Sequence, residues 1–324
     1  MNAIHIDHVS KSFEFNARRG FAGILRPQMK QVSAVSDISL SVDAGESIAF
    51  IGPNGAGKST TIKMLTGILR PTVGVVKVLG KSPITQRREL ASRIGTVFGQ
   101  RSQLVFNLPL TDSFGLSASM YGLSDATAKR RIAVLVDRFA LGEFASQPVR
   151  KLSLGQRMRA EVANALIHEP DIIFLDEPTI GLDIVAKRAL RETIRGVNTE
   201  QGTTIFLTSH DVGDIEEVCD RTVIVSHGQI MLDTHTSDLK LDYLTHKTIT
   251  VLPIGILPAR AEVAGVVAKS HEGQLIFSVD TVRHDLRKFI PQLFQQFDIE
   301  DITVSDTPLE DIIHDIYTRD QHVG

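Results

Sequence analysis

The sequence predicts an α/β fold: a parallel sheet core with a β subdomain and a helical insertion, followed by a small C-terminal α+β domain. Three observations predict it. Short apolar runs at 47–51, 94–98, 171–175 and 203–209 are separated by helix-length stretches, the alternation of a parallel sheet with crossover helices. These runs lead into polar residues, and the ligand edge of such a sheet lies at the C-terminal ends of its strands. Past Asp233 the spacing changes to short strand-like segments around a helix. With 324 residues, 42% hydrophobic and 23% charged, the chain is long enough for one large and one small domain.

Taken in order, residues 2–9 alternate as an edge strand does, and 34–42 make a second alternating strand. Between them, 15–36 contains no acidic residue and carries Arg18, Arg19, Arg26 and Lys30. The basic insert 16–33 reads as a solvated β-hairpin tip, with anionic lipid head groups or an acidic partner loop as the other reading. Asp43-Ala44-Gly45-Glu46 turns into the strand at 47–51, and 58–65 reads as a helix. A break at 70–74 precedes a strand at 75–80, a short helix at 87–92 and the buried strand at 94–98. Residues 101–168 form the helical insertion, with N-cap signals at Thr111-Asp112 and Ser124-Asp125. Its second helix carries the apolar stripe Ile132, Leu135, Val136 and Phe139, and a third helix is expected at 158–167. Pro170 restarts the chain into the strand at 171–175, and a helix near 185–196 crosses over to 203–209. The main domain therefore spans 1–235. Residues 236–324 form the small domain, with strands at 248–252, 261–268, 275–279 and 302–304. Helices at 282–294 and 309–317 complete it in a βαβ-type arrangement.

Composition excludes some classes. A net charge of −3 gives no global basic excess for nucleic acid, and none is expected as a partner. The lone cysteine, Cys219, rules out an internal disulfide and suits a reducing compartment; it reads as a small buried residue. No apolar run approaches the roughly 20 residues that span a bilayer, and the first residues lack the charged start and apolar core of a signal peptide. Work at a membrane would then require another polypeptide to supply the spans.

The chemistry centres on Gly52-Pro53-Asn54-Gly55-Ala56-Gly57-Lys58-Ser59-Thr60, which reads Gly-x4-Gly-Lys-Ser. Its glycines let the backbone wrap and turn N–H groups inward as a nest for phosphate oxygens. The strand before it and the helix after it place that nest at a helix N-terminus, where free N–H groups and the macrodipole favour an anion. Lys58 would reach the terminal phosphates and the Ser59 hydroxyl would ligate Mg²⁺. Phosphoryl transfer to water also needs a carboxylate near the metal and a base. Asp176, at the end of an all-apolar strand, fits the first role, and Glu177 fits the second.

Together these residues resemble the ATP-binding cassette (ABC) family, over roughly residues 3–235. Leu152-Ser153-Leu154-Gly155-Gln156, shortly before Asp176-Glu177, is similar to that family's Leu-Ser-Gly-Gly-Gln signature, with Leu154 in place of a glycine. Gln100, with Gln103 as a rival, resembles the Q-loop glutamine. Gly181-Leu182-Asp183 resembles the D-loop, and His210 the switch histidine. Phe13 matches the aromatic residue that stacks on adenine, with a core role as the other reading. The resemblance implies ATP and Mg²⁺ as ligands, the metal being held by Ser59, Gln100 and Asp176. It implies a head-to-tail pair of cassettes, each ATP lying between the phosphate loop of one copy and Ser153, Gly155 and Gln156 of the other. Asp183 would connect the two sites, and His210 would position water with Glu177. The chain would be the ATPase subunit of a transporter, an exporter by its closest likeness, attached through integral membrane permease subunits to the cytoplasmic face of the cell membrane. A soluble ABC ATPase of cofactor assembly, or a regulatory nucleotide-binding module, is the alternative.

Overall fold

The computed structural model describes residues 2–16, 29–99, 102–209, 211–243, 246–255, 261–271 and 273–306. Gln100, His210, the basic residues Arg18, Arg19 and Arg26, and the helix expected at 309–317 lie outside the described residues. The chain divides into two compact units, Met1–Thr236 and Ser237–Gly324.

In the first unit, β1 (Asn2–Asn16) and β2 (Met29–Asp43) form a long antiparallel hairpin, joined on the other side of β1 by β4 (Val73–Val78). Both arms extend beyond the expected 2–9 and 34–42. Register shifts after Ile6, Val9 and Lys11 let the ladder continue past breaks in alternation. The second sheet has the order β5 (Ile94–Phe98), β6 (Ile172–Asp176), β7 (Thr204–Thr208), β3 (Ser47–Ile51), β8 (Arg221–Ser226) and β9 (Gln229–His235). The first five strands are parallel, and β9 returns antiparallel to β8. β3 and β7 are buried at every residue, which is why they read as continuous apolar runs rather than alternations. The β8–β9 hairpin escaped the sequence reading, although its signal is there. His227 and Gly228, at φ 48° and 79°, make the left-handed two-residue turn that suits right-twisted strands.

Helix α1 (Lys58–Leu65) follows β3 directly, and α2 (Arg87–Ala91) precedes β5. The helical insertion holds α3 (Leu110–Met120), α4 (Asp125–Arg138) and α5 (Leu154–Ala165). Ser124 caps α4 as expected, accepting from Thr127 N. The cap expected at Thr111-Asp112 is corrected: Pro109 is the N-cap of α3. The Leu110 and Thr111 N–H groups donate instead to the Gln147 and Ala145 carbonyls, at 3.0 and 3.1 Å, so a neighbouring loop replaces a side-chain cap. α5 starts at Leu154 rather than 158, because Ser153 and Gln156 form a reciprocal capping box. α6 (Ile184–Gln201) runs past the expected 196 to Gly202, whose φ of 68° ends it, and α7 (Val212–Val218) follows β7.

After α8 (Thr236–Tyr243), the second unit is a sheet of order β13 (Lys269–His271), β14 (Gln274–Asp280), β10 (His246–Pro253) and β15 (Ile299–Asp306). β14 and β15 are both antiparallel to β10. The unit β14–α9 (Leu286–Gln296)–β15 is thus a βαβ crossover split by β10. The single strand expected at 261–268 is two short ones, β11 (Glu262–Val263) and β12 (Val266–Val267), folded on each other because Ala264 and Gly265 take positive φ. Phe277 and Phe289 pack edge to face at 5.9 Å in its core.

In the main sheet, Phe206 is fully buried and its ring centroid lies 5.3 Å from that of Phe50 and 5.7 Å from that of Phe174. One side chain therefore ties β7 to both of its neighbours. Replacing Phe206 with alanine is expected to lower unfolding free energy by about 3–5 kcal/mol, read from denaturant unfolding of the full chain.

Candidate functional site

The phosphate loop is shaped by what surrounds it. A Cβ on Gly52 would come 2.2 Å from the Val225 carbonyl of β8, and one on Gly57 would come 2.4 Å from the Ala34 carbonyl of β2. Gly57 also holds φ at 98°, so both positions exclude any side chain. Pro53, Asn54 and Gly55 are exposed, Ala56 is buried, and Thr60 lies in the first turn of α1. Lys58 is buried, and its Nζ donates to the Gly52 and Pro53 carbonyls at 2.5 and 3.2 Å. Burial lowers its pKa, while the facing Glu177 and Asp176 carboxylates pull it back up.

Strand register delivers the carboxylates. β6 and β7 pair Asp176 with Thr208, and β5 pairs Phe98 with Asp176. Asp176 Oδ1 accepts from Thr208 Oγ1 at 2.6 Å and from Ser59 Oγ at 3.3 Å. Helix α1 and strands β6 and β7 thus meet at one oxygen. Glu177 follows with φ 55°, and its N–H donates to the Thr208 carbonyl at 3.0 Å. The left-handed turn redirects the chain at the sheet edge, a sparsely populated conformation for a non-glycine residue. Gly99, which leads into Gln100, donates to the Asp176 carbonyl at 3.1 Å.

The signature-like segment sits elsewhere on the same unit. Ser153 and Leu154 are exposed. Ser153 Oγ accepts from Gln156 N at 3.2 Å, and Gln156 Oε1 accepts from Ser153 N at 2.9 Å. Leu154 Cδ2 lies 3.0 Å from where a Gly181 Cβ would stand, and the Gly155 position abuts Ala186 Cβ at 3.1 Å. The segment therefore packs on the chain around Asp183. Asp183 is the N-cap of α6 and accepts from Ala186 N at 2.8 Å. Gln103, the rival to Gln100, donates its amide to Thr96 O at 2.7 Å and to Thr96 Oγ1 at 3.1 Å, so its side chain is engaged on β5. Phe13 is 39% exposed, with Lys11 Nζ 5.1 Å from its ring centroid, which excludes the core reading. Cys219 is buried, and burial drives its thiol pKa well up, as suits a structural residue.

A family model described as ABC transporter matches residues 35–180. The ABC transporter ATP-binding protein NatA of Bacillus subtilis (strain 168) is 36% identical over 202 residues, covering 62% of this chain and 82% of NatA. The chain belongs to the ABC transporter family. It is an ABC ATPase, with ATP as its nucleotide. The daunorubicin/doxorubicin resistance ATP-binding protein DrrA of Streptomyces peucetius is 35% identical over 207 residues, 64% of this chain and 62% of DrrA. Among solved structures, the ATP-binding cassette MJ0796 in a dimeric post-hydrolysis state with ADP and Pi superposes with a TM-score of 0.61 at 24% identity. That match covers 72% of this chain and 98% of the other.

Two features of this ABC ATPase went unread in the sequence. One is the polar cluster of Arg191, Asp211 and Asp214 near Glu177. The other is Glu161 of α5, a buried carboxylate that accepts from Ser102 Oγ and, at 3.0 Å, from Gln103 N. It clasps the segment just after Gln100 to the helix that starts at Ser153. Neither has a motif, and a charged residue inside an amphipathic helix pattern reads as solvated. Burial raises the Glu161 pKa from its ordinary 4.5, and hydrogen bonds from Ser102, Gln103 and Leu104 only partly offset this. A carboxyl with a raised folded pKa supports the fold below the unfolded value and loses that support as pH rises through the folded one. Glu161→Gln keeps an acceptor oxygen and drops the titration. Its stability relative to the unaltered chain is expected to improve as pH rises above the ordinary carboxyl value of 4.5, because only the unaltered chain loses stability over that rise, read from urea unfolding midpoints.

Proposed function

We propose that this chain is the ATP-hydrolysing subunit of an exporter, working as a pair of cassettes beneath a membrane permease on the cytoplasmic face. The observation that carries the hydrolytic part is the convergence of Lys58, Ser59, Asp176, Thr208 and Glu177 at one sheet edge. Lys58 supplies positive charge to the terminal phosphates. Ser59 and Asp176 are hard oxygen donors at one point, of the kind that completes a Mg²⁺ shell together with nucleotide phosphates and water. Among the described residues no three His, Cys, Asp or Glu side chains gather as a metal cage. When bound, Mg²⁺ would supply neutralisation of phosphate charge. Glu177 accepts the proton of the attacking water, while Gln100 and His210 orient that water and the γ-phosphate.

A second copy supplies the rest. Exposed Ser153 and partly exposed Gly155 and Gln156 stand at the N-terminal turn of α5, whose first N–H groups and dipole suit an anion from outside the chain. Beside it, Ile184 is 85% and Val185 79% exposed, with Leu154 at 40%. This apolar strip next to Asp183 fits burial between two cassettes. Phe13 offers an exposed ring for stacking on adenine. The compact units Met1–Thr236 and Ser237–Gly324 support a domain division near residues 235–236. No helix of the described residues is long and apolar enough to cross a membrane, and ABC ATP-binding subunits generally pair with permeases. The export direction is supported by the resistance role in DrrA's name.

Glu177→Gln is expected to cut kcat by at least about 100-fold and to accumulate an ATP-bound dimer on size-exclusion chromatography with ATP and Mg²⁺. Adding Ile184→Asp should return that species to monomer. Wild-type hydrolysis by the glutamine variant would overturn the base assignment. Lys58→Ala should weaken ATP binding or hydrolysis in the same assays. Purified from its native membranes, the chain is expected to bring an integral membrane protein with it, and repeated failure to do so counts against transport.

A further inference from the structure

A polar network that belongs to no recognised motif lies under the hydrolytic edge. Arg191 of α6 and Asp214 of α7 are its hub, with side chains 10% and 1% exposed. Arg191 Nε donates to Asp214 Oδ1 at 2.6 Å, and Arg191 Nη2 donates to Asp211 Oδ1 at 2.6 Å. The other Asp214 oxygen accepts two hydroxyls, Thr179 Oγ1 at 2.5 Å and Ser209 Oγ at 2.5 Å. Asp211 also receives Lys187 Nζ at 2.5 Å. Thr179 lies two residues after Glu177, and Ser209 and Asp211 stand on either side of His210 in the sequence. Glu177, Thr179, Lys187, Ser209 and Asp211 together line a cavity of 260 Å³. Space for the hub is built in, because a Cβ on Gly213 would stand 2.3 Å from Arg191 Nη1.

A buried ion pair adds little stability over well-packed apolar residues of similar volume, so its retention here points to geometry. Its bonds reach out of the helices to two strand-end segments just past the backbone bond from Glu177 N–H to the Thr208 carbonyl. Both hydroxyls converge on one buried carboxylate oxygen, so Thr179 and Ser209 cannot move apart without one of them losing that acceptor.

We propose that Arg191 and Asp214 are positioning residues for hydrolysis, holding the chain that leaves Glu177 in register with the chain around His210 through Thr179, Ser209 and Asp211. This rests on the reading of Glu177 as the base. Small displacements of a reacting group lower rate more than they lower ligand affinity. The test uses the full-length chain, with kcat from phosphate release and ATP affinity from equilibrium binding with Mg²⁺. Thr179→Val keeps the shape and removes one hydroxyl. It is expected to lower kcat about 10- to 100-fold with ATP affinity changed less than about twofold, and Thr179→Ser should restore most of the rate. Asp214→Asn should show the same split. A Thr179→Val chain that hydrolyses at the unaltered rate overturns the proposal, as does a loss that Thr179→Ser shares or one matched by an equal loss of affinity. Glu177→Gln measured alongside separates the two ideas. If it stays active while Thr179→Val does not, the base assignment fails and the network stands; the reverse result removes the network and keeps the base.

Discussion

One oxygen of Asp176 holds the hydrolytic edge together. It accepts hydroxyls from Thr208 of β7 and Ser59 of α1, so the phosphate-loop helix is referenced to two strands at once. β7 separates β6 from β3 in the sheet, and the Ser59–Asp176 bond spans that separation from the helix that follows β3. The arrangement depends on register. A one-residue slip of β6 against β7 would turn Asp176 to the other face and take Thr208 away from it. The buried aromatic contacts of Phe50, Phe174 and Phe206 resist that slip from within the sheet, so core packing and site chemistry are the same constraint seen at two depths.

Around this point, buried charged side chains work as struts. Glu161 carries the segment after Gln100 on the helix capped by Ser153, and Ser113 of α3 accepts the Val105 N–H at 3.0 Å. The helical insertion is therefore bonded to the edge of the sheet through residues 102–105. On the other side, Arg191 and Asp214 bond the residues after β6 to those after β7. Each strut places a fully or partly desolvated charge where its hydrogen bonds are directional. A movement of the insertion or of the strand ends would thus be carried by hydrogen-bonded segments rather than by loose loops.

Much of the site was legible before any coordinates. The phosphate loop, Asp176 and Glu177 announce themselves because they sit at the ends of apolar runs, and β3, β5 and α1 fall where spacing put them. The misreadings share a cause. The α3 cap was assigned to Thr111 because local chemistry favours threonine, but carbonyls more than thirty residues away in sequence satisfied the same donors. α5 begins four residues before the expected 158, because the reciprocal Ser153–Gln156 capping box starts the helix there. β8 and β9 were missed although His227-Gly228 marks their turn. Leu154 read as a departure from a glycine; in the fold it rests on Gly181.

The sequence by itself determined the parallel sheet, the phosphate cradle and the carboxylate pair, since each is encoded within a few consecutive residues: glycine spacing, apolar continuity, a charge at a strand end. Only the tertiary structure decided that Thr208 shares Asp176 with Ser59, that Gln103 is held on Thr96, and that Glu161, Arg191 and Asp214 are buried struts rather than surface charges. Those roles are set by strand order and by helices packed across long stretches of sequence, and burial, which gives a polar contact its strength, is a property of the packed chain.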